Sequence, residues 1–302
     1  MAIMEVSHEV AELEWDPAVF ASKFDREPFG FEHNLAELDL FKFDNLISLA
    51  EKYAKFDQDY FVAESAPSPG TEFYSVPTLY RPPHEALQYL ETTPYRILMK
   101  RPENFDKSFG DLLHHLFAKV VKASGYLAGE EIVRLESGIF VSSAAATTPF
   151  HFDPEVNFFS QIEGDKIYHV YPPDTITEIE LEGFYKRGVV NIGQVDLAKR
   201  PPNREFVFSL RAGRGLHQPQ NAPHWVETGK SRSISYTFVF ETAASRAKGR
   251  TRSCNHYLRK IGLNPSPPGI NPAVDAVKSS TMQFVIPARH TVANSVRRIL
   301  GR

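Results

Sequence analysis

The spacing of hydrophobic positions changes twice along the chain. In "SFGDLLHHLFAKVVKASG" the apolar residues Leu112, Leu113, Leu116, Phe117, Val120 and Val121 share one stripe, and Gly125 follows the last turn. Recurrence every three to four residues, closed by a glycine, predicts an amphipathic helix. "LAELDLFKFDNLISLAEKYAKF" repeats the pattern in its later part, with Asp44 as the expected N-cap. "HEALQYLET", entered through Pro82 and Pro83, predicts a short helix. The stretch "ESAPSPGTEFYSVPTLYRPP" has the proline, serine and glycine of a loop. Residues 1–30 read as a loosely ordered arm.

From residue 131 the runs shorten. "EIVRLESGIFVSS", "NFFSQIEG", "DKIYHVYPP", "REFVFSLRAG", "HWVETG" and "SISYTFVFE" are brief, rich in aromatic and β-branched residues, and separated by Gly, Pro or Asp. Short strands punctuated by turns predict a sandwich or barrel. Beyond about residue 243 the chain turns polar and helical again. A basic segment, "SRAKGRTRSCNHYLRKIGL", is followed by the loop "NPSPPGINP" and a closing helix, "RHTVANSVRRIL". The expected organisation is a mainly β core over 131–242, with helical and loop regions at 1–130 and 243–302 packed around it.

Composition narrows the classes. Among 302 residues, 42% are hydrophobic and 24% charged, as in ordinary globular chains. The net charge of −3 gives no global basic field, so nucleic acid is not the expected partner, and Arg246 to Arg259 read as a solvated helix face. A single cysteine, Cys254, precludes an internal disulfide framework. No stretch approaches the roughly 18 apolar residues of a membrane helix, and "MAIMEVSHEVAELEWDP" is acidic, unlike a secretory signal. The expected location is the cytoplasm.

The chemistry gathers in "TTPFHFDPEVNFFSQIEGDKIYHVYPPD". On a strand, side chains two apart share a face, so His151 and Asp153 point the same way. They supply two members of a two-histidine, one-carboxylate triad, a donor set suited to non-haem Fe(II). A third ligand must come from a distant strand; His224 in "QPQNAPHWVETG" supplies it, with His217 in "GRGLHQP" as the competitor. Lys166 lies in an alternating apolar run, where a buried ammonium is costly unless an anion pairs with it. His169, in the same run, reads as core or pocket lining. His114 and His115 face different directions on a helix and read as structural.

The joint pattern resembles the JmjC-type cupin oxygenases, and within them the asparaginyl hydroxylase that acts on hypoxia-inducible factor. Thr148, Pro149, His151, Asp153, Asn157, Phe159 and Lys166 stand at the family's spacing, with "PQNAPHWVE" as its second-half motif. The resemblance covers about residues 131–242. It implies a double-stranded β-helix with flanking helices. It also implies iron at His151, Asp153 and His224, and 2-oxoglutarate held by Lys166 with Thr148, Asn157 and Tyr95. Phe159, Tyr168 and Trp225 would wall the substrate cavity, Trp225 reading alternatively as core. With O2 and 2-oxoglutarate as cosubstrates, the implied activity is hydroxylation, or demethylation through hydroxylation, of a protein side chain or small molecule, with no catalytic group beyond the metal centre. The Asn that the asparaginyl enzyme carries on its last core strand is missing from "SYTFVF". The flanking "NHYLRKIGLNPSPPG" resembles bacterial cupin-like relatives, and the family's dimers imply a homodimer through the C-terminal helices. Val292, Val296, Ile299 and Leu300 would then form its face, or else dock that helix on its own barrel. The alternative reading is a cupin that binds metal or a small ligand without turnover, as a sensor or interaction module.

Overall fold

The computed structural model describes residues 10–299, with side chains as far as residue 286. In chain order the N-terminal part comprises β1 (Leu13–Glu14), α1 (Pro17–Lys23), β2 (Phe29–His33), α2 (Phe43–Lys52), β3 (Tyr60–Glu64), α3 (Pro83–Gln88), β4 (Tyr95–Lys100) and α4 (Lys107–Ser124). Eight strands follow: β5 (Ile132–Ser142), β6 (Thr147–His151), β7 (Val156–Glu163), β8 (Lys166–Val170), then α5 (Glu178–Phe184), β9 (Phe206–Leu210), β10 (Arg214–Gln218), β11 (His224–Thr228) and β12 (Ser233–Thr242). The chain closes with α6 (Ala243–Lys260) and α7 (Pro272–Ile299).

Two antiparallel sheets face each other. One runs β1-β2-β10-β7-β12-β5-β4-β3, the other β6-β11-β8-β9. From β5 to β12 the chain passes from one sheet to the other at every step except β8 to β9, which both lie in the small sheet; this is the winding of a double-stranded β-helix, a jelly-roll closure that leaves few free edges. Phe159 and Leu216 from the large sheet meet Tyr168, Val170, Leu210 and Val226 from the small one, so the inner faces form one core. The outer face of the large sheet is covered separately. Ile139, Val141, Phe158, Tyr236 and Phe238 pack there against Phe20 of α1, Leu46 and Leu49 of α2, and Phe109, Leu113 and Leu116 of α4. Both faces of the large sheet are therefore covered, which explains the near-continuous burial of β7 and β12.

Residues 10–30 are built into the fold instead of forming a loose arm: Phe20, Phe24 and Phe29 are buried, and β2 pairs with β10. Residues 1–9 lie outside the described part. The N-cap expected at Asp44 falls two residues earlier, at Lys42, without a side-chain bond, and Asp44 sits in the first turn of α2. Helix α4 is capped by the Asp106 carboxylate at its start and ends at Gly125, where φ is 72°. Helix α7 is longer than the expected closing helix; the side chains of Val292, Val296, Ile299 and Leu300 lie outside the described residues. The basic side chains of α6 are mostly tied up: Arg252 pairs with Glu178, Arg259 with Glu182 and Arg246 with Glu241.

Candidate metal centre

His151 ends β6, and the extended alternation runs on through Phe152, bridged to Gly193, to Asp153. Phe152 points away, into the layer beneath α5, so its two neighbours turn into the barrel. His224 opens β11 directly opposite His151. The three donor groups fall within 4.8 Å of one another. Asp153 Oδ1 lies 3.9 Å from His151 Nε2 and Oδ2 lies 3.7 Å from His224 Nε2. Two bonds of about 2.1 Å span at most roughly 4.2 Å, so both separations are within the reach of one first-row ion.

The second nitrogen of each ring fixes its orientation. His151 Nδ1 donates to the Pro149 carbonyl at 2.7 Å, and His224 Nδ1 to the Ala222 carbonyl at 3.1 Å. Both Nε2 lone pairs are left free to face the shared point. Burial holds His151 down to about 4 and, with His151 alongside, His224 down to about 3. Burial raises the Asp153 carboxyl despite the pull of His224. Its carbonyl accepts from the Asn221 N–H at 3.0 Å, tying the turn after β6 to the loop before β11.

Lys166 points into the same interior, 5% exposed. Its Nζ donates to Ser235 Oγ at 3.0 Å and lies 5.2 Å from the Phe159 ring centre. Ser235 in turn donates to Gln161. No carboxylate pairs with Lys166 among the described residues, and burial with nearby Arg96 lowers its amine to about 7. Thr148 stands three residues before His151, a spacing that would put it on the opposite face of a regular strand. The pairing of β6 with β11 slips between His151 and Thr148, three residues opposite two, so Thr148 lies across from inward-facing Val226 and shares its face. Asn157 is buried and accepts from Thr237 of the last core strand, where "SYTFVF" lacks an asparagine. Tyr168 stacks on His224 with ring centres 5.2 Å apart, while its hydroxyl donates to Gln218 at 2.6 Å.

Three other expected or competing residues lie elsewhere. Tyr95 belongs to the outer core of the large sheet, because its place in β4 alternates with that of Arg96. Trp225 is on the outside of the small sheet, stacked on His169 at 3.8 Å, because it follows inward-facing His224. His217 sits among Phe24, Phe29 and Phe158, its Nε2 accepting the Asp25 N–H at 3.0 Å, on the far side of the large sheet from the triad.

The structure also adds residues. Phe73 covers His151, with ring centres 4.7 Å apart, and its N–H is held by Gln194 from the opposite loop. Glu155 lies behind Asp153 in an ion pair with Arg134; burial and the neighbouring Asp153 raise it to about 8. Arg96 is buried with no carboxylate partner among the described residues. An arginine inside the apolar run "YRILMK" was the available sequence signal for it.

Comparisons with known proteins agree on the architecture. The chain matches no protein-family model. Its fold is similar to that of the Escherichia coli ribosomal oxygenase YcfD in complex with cobalt and 2-oxoglutarate. That match has 17% identity and a TM-score of 0.54, covering 92% of this chain and 68% of the other. A second structure of E. coli YcfD gives 16% identity and a TM-score of 0.53, covering 91% and 68%. In sequence, the chain is 27% identical over 166 residues to the HSPB1-associated protein 1 homolog of Danio rerio. That similarity covers 50% of this chain and 37% of the relative, so the chain spans well under half of the curated relative's length. The JmjC-like cupin fold expected from the motif is the fold observed. No helix among the described residues is long and apolar enough to cross a membrane.

Proposed function

We propose that the protein is an Fe(II)- and 2-oxoglutarate-dependent oxygenase that hydroxylates, or demethylates through hydroxylation, a protein side chain or small molecule. The observation that carries this reading is the convergence of His151 Nε2, His224 Nε2 and an Asp153 carboxylate inside a double-stranded β-helix that also buries an unpaired Lys166. Two neutral imidazoles and one carboxylate fit a ferrous ion and leave positions open for other ligands. When bound, the iron supplies the redox chemistry that couples O2 to oxidative decarboxylation of 2-oxoglutarate. The chain's own residues hold and screen. His151, Asp153 and His224 would carry the ion, and Lys166, with Thr148 and Asn157, would fix the far end of the cosubstrate. Phe159 and Tyr168 keep the inner wall apolar, and Phe73 shields the His151 side from water. The similarity to a structure holding cobalt and 2-oxoglutarate supports the same cofactor pair here, and its description as a ribosomal oxygenase favours a protein substrate.

The test is succinate formation from 2-oxoglutarate with Fe(II), with ribosomal-protein peptides heading a panel that also contains metabolites. A substrate should raise succinate above the uncoupled background in the wild type and not in Asp153→Ala. A wild type that binds metal but gives no succinate and no 2-oxoglutarate binding would instead be a ligand-binding cupin without turnover.

A further inference from the structure

Arg96 is 8% exposed, and its Nη2 is buried without a hydrogen-bond partner. Nε donates to the Glu64 carbonyl at 3.1 Å, which fixes the guanidinium through one edge and leaves the other unused. Strand register places the side chain. Arg96 lies opposite Ser142 of β5, and Ser142 lies opposite Ser233 of β12. Ser233 accepts from Gln161 Nε2 at 2.8 Å, Gln161 accepts from Ser235, and Ser235 accepts from Lys166. Directly paired residues share a face, so this is a continuous polar strip across the inner face of the large sheet, with a cation at each end. The flanking inward positions Leu98, Phe140 and Phe159 are apolar. Two buried cations on one strip with no carboxylate between them are unfavourable unless an anion enters. Burial lowers the Lys166 amine to about 7, with Arg96 nearby adding to it, and burial lowers the Arg96 guanidinium to about 10.

We infer that Arg96 and Lys166 form a two-cation subsite for the far carboxylate of the 2-oxo acid, Arg96 contributing through its unpartnered guanidinium edge. The inference rests on the oxygenase reading and deepens it by assigning the cosubstrate a second charged partner. A guanidinium presents parallel N–H donors that match a carboxylate, and the ammonium adds a point charge from the facing sheet. The subsite therefore selects a dicarboxylate over a monocarboxylate of the same length.

The experiment is calorimetric titration of the Mn(II)-loaded full chain with 2-oxoglutarate and with 2-oxopentanoate, which has the same five carbons but no far carboxylate. Arg96→Gln should weaken 2-oxoglutarate binding by about tenfold or more while changing 2-oxopentanoate by less than about twofold. Arg96→Lys, which keeps the charge and loses the fork, should show a smaller change in the same ratio, and it decides the matter if Arg96→Gln does not fold. An unchanged ratio between the two ligands in either folded variant overturns the inference. A wild type that does not bind 2-oxoglutarate at all removes the oxygenase reading itself, and that result is read before any variant is made.

Discussion

Three histidines show how much depends on which face of a strand a residue occupies. His151, His217 and His224 are all buried and all held well below the usual imidazole range by burial, to about 4, 3 and 3. Their protonation therefore does not separate ligand from structural residue; geometry does. Asp153→Ala should abolish retention of a divalent metal, read by metal analysis after desalting. His217→Ala should retain stoichiometric metal and lose on the order of 3 kcal/mol of stability, because it empties an aromatic site in the outer core. Metal loss in the His217 variant with retention in the Asp153 variant would reverse the assignment. Lys166 carries a sharper prediction. Lys166→Ala should raise the 2-oxoglutarate requirement at least ~100-fold, since it leaves a desolvated carboxylate without its ammonium partner, while metal affinity stays nearly unchanged. With its amine at about 7 in the empty pocket, a bound carboxylate must draw a proton onto it. Binding at pH 8 should take up a proton, visible as a dependence of the calorimetric enthalpy on buffer ionisation heat, and Lys166→Met should remove it.

At the level of elements, what could be read from the sequence was what obeys period. The strands from β5 to β12 mostly announce themselves as aromatic and β-branched runs, and the spacing of His151, Asp153 and Lys166 carries the site because alternation maps directly onto faces. Elements that depend on tertiary pairing were not legible. Strand β1 has two residues and β2, "FGFEH", has five, so the alternation is too short to stand out before β10 pairs with β2 and β2 with β1. The slip that turns Thr148 inward is a property of the β6–β11 pair, and the Tyr95–Arg96 exchange of faces depends on where β4 joins the sheet. Helix α5 is a different case. Its Thr177 and Glu180 form a capping box, a signal present in "TEIE". The approach of the 189–200 loop to the metal side is equally hidden in sequence. Gly193 exchanges backbone bonds with Phe152 at 2.9 and 3.0 Å, and a Cβ there would fall 1.8 Å from the Phe152 ring. Since Phe152 stands between His151 and Asp153, Gly193→Ala should displace both and weaken metal binding roughly 10–100-fold, the range seen when ligand supports are lost. An unchanged metal affinity would mean that the loop yields instead of the ligands.

For the whole molecule, the C-terminal helices leave Val277 68% and Phe284 77% exposed on α7, an apolar face suited to a second copy. Light scattering should give twice the 34.2 kDa chain mass, and a monomeric mass would reject the dimer. Global stability should also record the cost of burying Lys166 without a carboxylate partner. Lys166 is protonated in the unfolded chain up to about pH 10.5 but in the folded chain only up to about 7. Between these values the unfolded state holds the extra proton, so stability rises with pH, by on the order of 5 kcal/mol over the full interval. Other groups narrow the window in which this can be seen. Glu155, raised to about 8, makes the folded state the better proton binder between the usual carboxylate range and pH 8, which opposes the trend there. Above about pH 10 the buried Tyr53, Tyr168 and Tyr236, all shifted upward by burial, keep protons that the unfolded chain releases, and stability falls again. The four buried histidines, including His33, complete their titration below pH 7. The ligand-free protein should therefore gain stability in denaturant titrations from pH 8 to pH 10. Lys166→Met should be more stable than the wild type at pH 8 and should gain less stability than the wild type across the same range, because nothing charged is then left unpaired at that end of the strip. A wild-type curve that is flat or falling between pH 8 and 10 would mean that Lys166 keeps its proton in the empty barrel, through water or an anion already in place.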